Sequence, residues 1–110
     1  MKARPLIETI AVSGRFIRDL KDREKVRSII QDVLDCSNLE FHELHKFEMN
    51  VGGNLIFRAK KERMHIVYGV DKKMRIVVFL RAIGSFTQYK GLLEDKKEIL
   101  RMITRTRSVD

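Results

Sequence analysis

Hydrophobic alternation with a period of two, over the middle of the chain, constrains the fold most. Apolar and polar side chains alternate through 55–60 and 64–70, and again through 76–81. This alternation is typical of strands with one buried face. An Asp-Lys-Lys turn at 71–73 separates the second and third segments, so we expect an antiparallel meander. The third segment is apolar on both faces at 77–80, which predicts a central strand.

Two helices are predicted before the meander. Residues 5–12 are rich in β-branched side chains and predict a short first strand. Ser13, which follows, is a suitable N-cap for a short helix. A second helix follows Asp22, and its apolar residues recur at helical spacing: Val26, Ile29, Ile30, Val33 and Leu34. We expect these helices to form a hairpin on one face of the sheet. The periodicity then breaks down over 39–54, where Gly52-Gly53 marks a turn.

The C-terminal part predicts one more helix. Gly84 ends the last strand, 85–91 is expected to be irregular, and a helix is predicted over about 92–106. The fold class is therefore α+β, a single domain over residues 1–110. We expect a small antiparallel sheet, made of the N-terminal strand and the three-stranded meander, with the helical hairpin on one face. The sequence pattern allows the C-terminal helix either to pack against the rest of the domain or to be mobile.

Segment lengths argue against a membrane protein. The longest stretch without a charged residue is nine residues, 49–57, whereas about 20 are needed to span a bilayer. The first residues lead into no apolar run of signal-peptide length. With a single cysteine, Cys36, no internal disulfide is expected. These features predict a cytoplasmic location.

Three common motifs of nucleotide-binding and metal-binding sites are missing from the sequence. It has no Gly-rich phosphate loop of the GxxxxGK[ST] kind, no CxxC pair and no HExxH. His42 and His45 lie three residues apart among glutamates, but their spacing fits no common zinc motif. We therefore expect exposed histidines there, with no metal and no cofactor.

The charge balance indicates an anionic partner. The chain has 23 Lys and Arg against 15 Asp and Glu, a formal net charge of +8. Such an excess attracts polyanions, and nucleic acid is favoured by counterion release. An acidic protein and an anionic membrane surface are the other candidates, and charge alone does not rank them.

Basic residues concentrate in and beside the predicted strands: Arg58, Lys60, Lys61, Arg63, Arg75, Arg81 and Lys90. Because burying such residues in a core is costly, they must line an exposed face or rim. With Phe86 and Tyr89 at its edge, this face is suited to hold an RNA backbone and stack a base. An ordinary solvated face, whose charges prevent edge-to-edge pairing, explains the same residues equally well.

The segment 57–71, FRAKKERMHIVYGVD, resembles the hallmark of the RelE/ParE superfamily of toxin–antitoxin toxins. Members show an aromatic residue followed by Arg-x-Arg/Lys on one strand, then a turn and a Tyr-Arg pair on the next. The segment 76–90, IVVFLRAIGSFTQYK, is similar to the family's last strand and its tyrosine-containing tail. The expected order of elements also agrees with the family, and the resemblance covers roughly 7–89.

The resemblance implies a function. RelE-like toxins are mRNA endoribonucleases that act on the ribosome without a metal, and an acidic antitoxin protein neutralises them. In the family, the ribose 2′-hydroxyl attacks the neighbouring phosphate, while basic side chains stabilise the developing charge. The expected partners are therefore mRNA, the ribosome and an acidic antitoxin.

The family's site residues carry over onto four candidate catalytic positions. Arg58 matches the basic residue after the aromatic, which makes it a candidate phosphate clamp. Tyr89 matches the C-terminal tyrosine, which makes it a candidate base or stacking residue. His65 stands where the family has the arginine of the Tyr-Arg pair, and it can serve as a phosphate donor when protonated or as a base when neutral. Arg81 is the fourth candidate. Expected RNA-binding residues are Lys60, which matches a second basic position, together with Lys61, Arg63, Arg75 and Lys90.

One departure from the family's pattern favours an alternative function. Active relatives carry an arginine between the positions of Gly84 and Tyr89, where this chain has Ser-Phe-Thr-Gln. ParE-like relatives bind and poison DNA gyrase without cutting RNA. A ParE-like or catalytically decayed toxin, which binds a target without cleaving RNA, is therefore the second hypothesis.

Overall fold

The computed structural model describes residues 9–34, 46–61 and 63–107. Within these ranges the chain forms five strands and four helices. In chain order they are β1 (Thr9–Val12), α1 (Gly14–Leu20), α2 (Arg23–Leu34), β2 (Lys46–Val51), β3 (Asn54–Lys61), β4 (Met64–Asp71), β5 (Ile76–Ile83), α3 (Phe86–Glu94) and α4 (Lys96–Arg107). The predicted α+β class is confirmed. The first part of the predicted first strand, 5–8, lies outside the described residues.

The five strands form one mixed sheet in the order β1-β5-β4-β3-β2. The predicted antiparallel meander is present, with β4 paired to β3 on one side and to β5 on the other. The expectation of an entirely antiparallel sheet is wrong, because β1 pairs with β5 in parallel. The chain between the two strands includes α1, α2 and three further strands, and it is long enough for the crossover that parallel pairing requires. β5 lies inside the sheet as predicted, although β4 occupies the middle position.

Strand β2 corrects the expectation of irregular structure up to residue 54. It forms an antiparallel hairpin with β3. The two-residue turn is Gly52-Gly53, with φ of 56° and 86°, values that glycine adopts without strain. The register shifts between Phe47 and Met49, which leaves Glu48 as the extra residue of a β-bulge. Residues 46–51, KFEMNV, alternate polar and apolar side chains, which is a local signal for this strand. The bulge interrupts the alternation of burial along the strand and not that of the residue types.

Helices α1 and α2 begin where the sequence predicts. The Ser13 hydroxyl accepts a hydrogen bond from the backbone N–H of Phe16 at 3.0 Å, and Asp22 accepts from the N–H of Glu24 at 2.9 Å. In both contacts, the side chain supplies an acceptor for a first-turn N–H group, which has no acceptor within its own helix. Phe16 and Leu20 are buried, so α1 packs its apolar side on the sheet.

The C-terminal part holds two helices where one was expected. The segment predicted to be irregular, 85–91, lies mostly in α3, which Ser85 caps by accepting from the N–H of Gln88 at 3.2 Å. The helix predicted over 92–106 is interrupted at Asp95, and α4 begins after it. The sequence pattern of α3 is weak because its first turn is exposed apart from Tyr89.

Two hydrophobic cores lie on opposite faces of the sheet. One joins α1 and α2 to the sheet, centred on Phe16, Ile29, Tyr68 and Phe79. The second joins α3 and α4 to the other face, with Ile56, Leu80, Tyr89, Ile99 and Ile103. The C-terminal helices are therefore packed, and the sheet is covered on both faces. In the part of the chain that the structure describes, no helix has both the length and the apolar character that crossing a membrane requires.

Candidate functional site

The site begins with two basic residues of β3. Arg58 and Lys60 point to the same face because side chains alternate along a strand. Lys60 lies opposite His65 of β4 in the antiparallel register. On this face, the strand register alone brings a guanidinium, an ammonium and an imidazole to one end of the sheet.

Helix α3 brings Tyr89 onto these residues. The Tyr89 ring stacks on the His65 ring with centroids 4.3 Å apart and planes 5° from parallel. The Arg58 Nε–H donates a hydrogen bond to the Tyr89 hydroxyl at 3.4 Å. The guanidinium carbon also lies 5.8 Å from the centroid of the same ring, within cation–π range. Tyr89 itself is 2% exposed.

The third contribution is Glu48 of β2. The Tyr89 hydroxyl donates a hydrogen bond to the Glu48 carboxylate, whose side chain is only 8% exposed. The Lys46 ammonium lies 3.8 Å from the other carboxylate oxygen. Bulges commonly redirect a side chain, and here the bulge of β2 places Glu48 at Tyr89. We call Glu48, Arg58, His65 and Tyr89 the tyrosine cluster.

The surroundings of Tyr89 favour its neutral form. Burial raises the pKa of its phenol, and the hydrogen bond to the Glu48 carboxylate raises it further, while Arg58 acts in the opposite direction. Tyr89 therefore keeps its proton at neutral pH and acts as a hydrogen-bond donor. This outcome argues against the role of base that the resemblance offers for Tyr89.

His65 is also held in its neutral form. Burial lowers its pKa, and the charges of Arg58 and Lys60 lower it further, against a smaller opposing effect of Glu48. Its Nδ1 is buried and has no hydrogen-bond partner among the described residues. Of the two roles that the sequence leaves open for His65, a neutral imidazole supports that of a proton acceptor.

An exposed aromatic rim adjoins the cluster. Phe86 is 62% exposed, and its ring centroid lies 6.0 Å from that of Tyr89 and 6.1 Å from that of His65. The Lys90 ammonium lies 5.9 Å from the Phe86 ring. Exposed Arg63 lies in the β3–β4 turn beyond Lys60 and has a positive φ of 69°. The Lys90 cation therefore lies beside an aromatic ring that is open to solvent.

The other predicted site residues lie apart from the cluster. Arg81 donates to the Asp19 carboxylate of α1 from Nε at 2.7 Å and from Nη2 at 3.2 Å. Lys61 lies 3.9 Å from Asp32 of α2. Arg75 is in the β4–β5 turn at the opposite end of β4. Arg81, Lys61 and Arg75 are therefore not part of the tyrosine cluster.

Glu48 is the site residue that the sequence analysis missed. Its signal was available in part: a Gly-Gly pair between two short β-prone segments is typical of a hairpin, which predicts a strand over 46–51. The contact with Tyr89 depends on the bulge and on the placement of α3, and neither follows from local pattern. His42 and His45, the pair considered as metal ligands, lie outside the described residues.

Comparison of the chain with protein-family models, with curated proteins and with solved structures gives no match. The RelE/ParE resemblance therefore rests on the quoted residues alone.

Proposed function

We propose that this protein is a RelE-like toxin of a toxin–antitoxin pair, a ribosome-associated mRNA endoribonuclease that uses the tyrosine cluster. The observation that carries the proposal is the contact of Tyr89 with Arg58, His65 and Glu48 beside the exposed ring of Phe86. A cation, a neutral phenol, a neutral imidazole and a carboxylate at one site supply the groups that RNA cleavage without a metal requires.

In the proposed reaction, neutral His65 accepts the proton of the ribose 2′-hydroxyl as its oxygen attacks the neighbouring phosphorus. The new P–O2′ bond closes a 2′,3′-cyclic phosphate, and the P–O5′ bond breaks. Arg58 stabilises the charge that develops on the phosphoryl oxygens. Tyr89, whose single O–H proton is donated to Glu48, stacks on the His65 ring and positions it. The leaving 5′-oxygen ends as a hydroxyl, with its proton supplied by water. Glu48 positions Tyr89.

The neighbouring residues supply substrate binding in this proposal. Phe86 offers a stacking surface for a base of a single strand. Lys60, Arg63 and Lys90 bind phosphates on either side of it, which makes the affinity dependent on salt. The proposed setting is the cytoplasm, and the net charge of +8 supports an acidic antitoxin as the protein partner.

The test is cleavage of a 5′-labelled messenger on programmed ribosomes. The proposal predicts a cut in the decoding site without added divalent metal beyond what the ribosome needs. The upstream product should end in a 2′,3′-cyclic phosphate, and the downstream product should begin with a 5′-hydroxyl. A messenger that remains intact while the protein co-sediments with ribosomes contradicts the proposal.

A ParE-like or catalytically decayed toxin, which binds a target without cutting RNA, is the second candidate. Two observations favour it: segment 85–88 lacks the arginine of active relatives, and Arg81 is bonded to Asp19 rather than to the cluster. An Arg58→Ala/Tyr89→Phe double variant separates the two candidates. Growth arrest that persists in this variant supports the binding toxin, and loss of arrest with normal folding supports the nuclease.

A further inference from the structure

A groove lies at the sheet edge opposite the one formed by β2. It has a volume of about 660 Å³ and follows β1 between α1 and α4. Its apolar lining comes from Ile10, Val12, Ile76 and Met102. Ile10 is 41% exposed, a high value for an isoleucine in a strand. The groove therefore combines apolar surface with a sheet edge.

The backbone of β1 presents unused hydrogen-bonding groups to this groove. The Thr9 N–H donates to the carbonyl of Arg75 at 3.1 Å, and the Ser13 N–H donates to a carbonyl of β5 at 2.9 Å. In a parallel pair, alternate residues direct their backbone groups to the same neighbour. The N–H and C=O groups of Ile10 and Val12 therefore point away from β5. Among the described residues, no strand pairs with that side of β1.

The charge around the groove has one sign. Arg15 and Arg18 border it on the α1 side, and Arg105 and Arg107 border it on the α4 side. Arg107 also donates to the Asp71 carboxylate at 3.0 Å. Within the described part of the chain, no aspartate or glutamate lines the groove. An occupant with carboxylates at its flanks matches this charge.

We propose that the groove binds an extended acidic segment of a partner protein, which adds to the outer edge of β1 as a sixth strand. Strand addition satisfies the outward N–H and C=O groups of Ile10 and Val12 together. Acidic side chains of the segment pair with Arg15 and Arg18, and its apolar side chains cover Ile10. Nucleic acid fits less well, since the outward carbonyls repel phosphate.

This inference gives the acidic partner of the proposed function a location. Its test measures peptide binding only, so its failure is distinguishable from failure of RNA cleavage at the tyrosine cluster. The arginines of the groove are not members of that cluster.

The experiment is an NMR titration with a synthetic peptide of about twelve residues. In this peptide, every second residue is glutamate and the residues between are valine or threonine. The proposal predicts that the amides of Ile10 and Val12 shift and become protected from hydrogen exchange. The amide of Ala11, which lies between them, should change much less. A peptide of the same length and the same number of glutamates, with proline in place of each valine and threonine, is the control, because it cannot form a strand.

A charge-reversal pair tests the role of the arginines. Arg15→Glu/Arg18→Glu should weaken binding of the peptide by about tenfold or more. Arg23→Glu/Arg27→Glu makes the same change of charge on exposed positions of α2 and should leave the affinity within about twofold. Circular dichroism of both double variants verifies that they fold.

Three results overturn the inference. The first is an acidic peptide that leaves the Ile10 and Val12 amides exchanging as fast as in the free protein. The second is protection of these amides in the protein alone together with a dimer by sedimentation, which makes a second copy the occupant. The third is a single-stranded RNA oligonucleotide that displaces the peptide and loses its affinity in the Arg15→Glu/Arg18→Glu variant.

Discussion

At the scale of single residues, Tyr89 has two opposing neighbours at its hydroxyl. Arg58 donates to the phenol oxygen, and the Glu48 carboxylate accepts its proton. The cation favours the phenolate, whereas the anion and burial favour the phenol. The protonation state of Tyr89 is therefore set by residues from two different strands.

Glu48→Gln should lower the pKa of Tyr89. The substitution removes the anion that holds the phenol in its neutral form, and Arg58 remains to stabilise the phenolate. Ultraviolet titration of the phenolate measures this value, with Tyr89→Phe as the reference that isolates Tyr68. Glu94→Gln, at an exposed position of α3, is the matched control. An unchanged pKa in Glu48→Gln contradicts the contact between Glu48 and Tyr89.

His65 should make the stability of the protein depend on pH. Its pKa in the folded state is lowered from the ordinary value of 6.5 by burial and by Arg58 and Lys60. The unfolded chain therefore binds more protons over the interval below 6.5. Stabilisation by neutral His65 is complete above that value and is lost as the pH falls toward the pKa of the folded state.

Urea unfolding of wild type and His65→Phe checks this dependence. Phenylalanine retains a ring against Tyr89 but does not titrate. The free energy of unfolding should fall between about pH 7 and pH 5 in the wild type, and the fall should be smaller in the variant. His42 and His45 are common to both proteins and cancel in the difference. Equal slopes in the two proteins contradict the burial of neutral His65.

At the scale of elements, Ser13 joins the first helix to the sheet. Its hydroxyl donates to the carbonyl of Leu80 at 2.7 Å and accepts from the N–H of Phe16 at 3.0 Å. Both contacts are buried. One side chain thus caps α1 and fixes it to β5.

Ser13→Ala should lower the free energy of unfolding by about 2 kcal/mol, because it leaves a buried carbonyl and a helical N–H without partners. Ser85→Ala removes an N-cap of the same kind at an exposed position, and it should cost about 1 kcal/mol or less. Urea denaturation measures both losses. An equal loss in the two variants contradicts the additional contact of Ser13 with β5.

Local pattern predicted some elements and not others for physical reasons. The meander and the hairpin of α1 and α2 follow from periodic burial and from the capping residues Ser13 and Asp22, which act within a few residues. The residue types of β2 alternate from Lys46 to Val51, so this strand was recognisable from local pattern. The bulge at Glu48, which depends on the pairing with β3, was not. α3 was not predicted because Phe86 and most of its neighbours in the helix face solvent, so apolar residues do not recur at helical spacing there.

At the scale of the whole molecule, the sheet is covered on both faces, and each layer contributes differently to the candidate site. The strand register brings Arg58, Lys60 and His65 together, and this part was predictable from alternation. Tyr89 and Glu48 join them through the packing of α3 and the bulge of β2. Arg81 was expected to belong to the site, but its pairing with Asp19 depends on where α1 packs. Contacts of this kind join residues that are far apart in the sequence, so local sequence pattern does not predict them.

The most direct test of the central claim is the rate of messenger cleavage on programmed ribosomes by Arg58→Ala, compared with wild type. The account predicts a loss of about 10²-fold or more, because Arg58 stabilises the charge developing on the phosphate. Arg27→Ala, at an exposed position of α2, is the matched control and should retain the wild-type rate. Cleavage by a folded Arg58→Ala variant at the wild-type rate would contradict the assignment of the tyrosine cluster as the site of RNA cleavage.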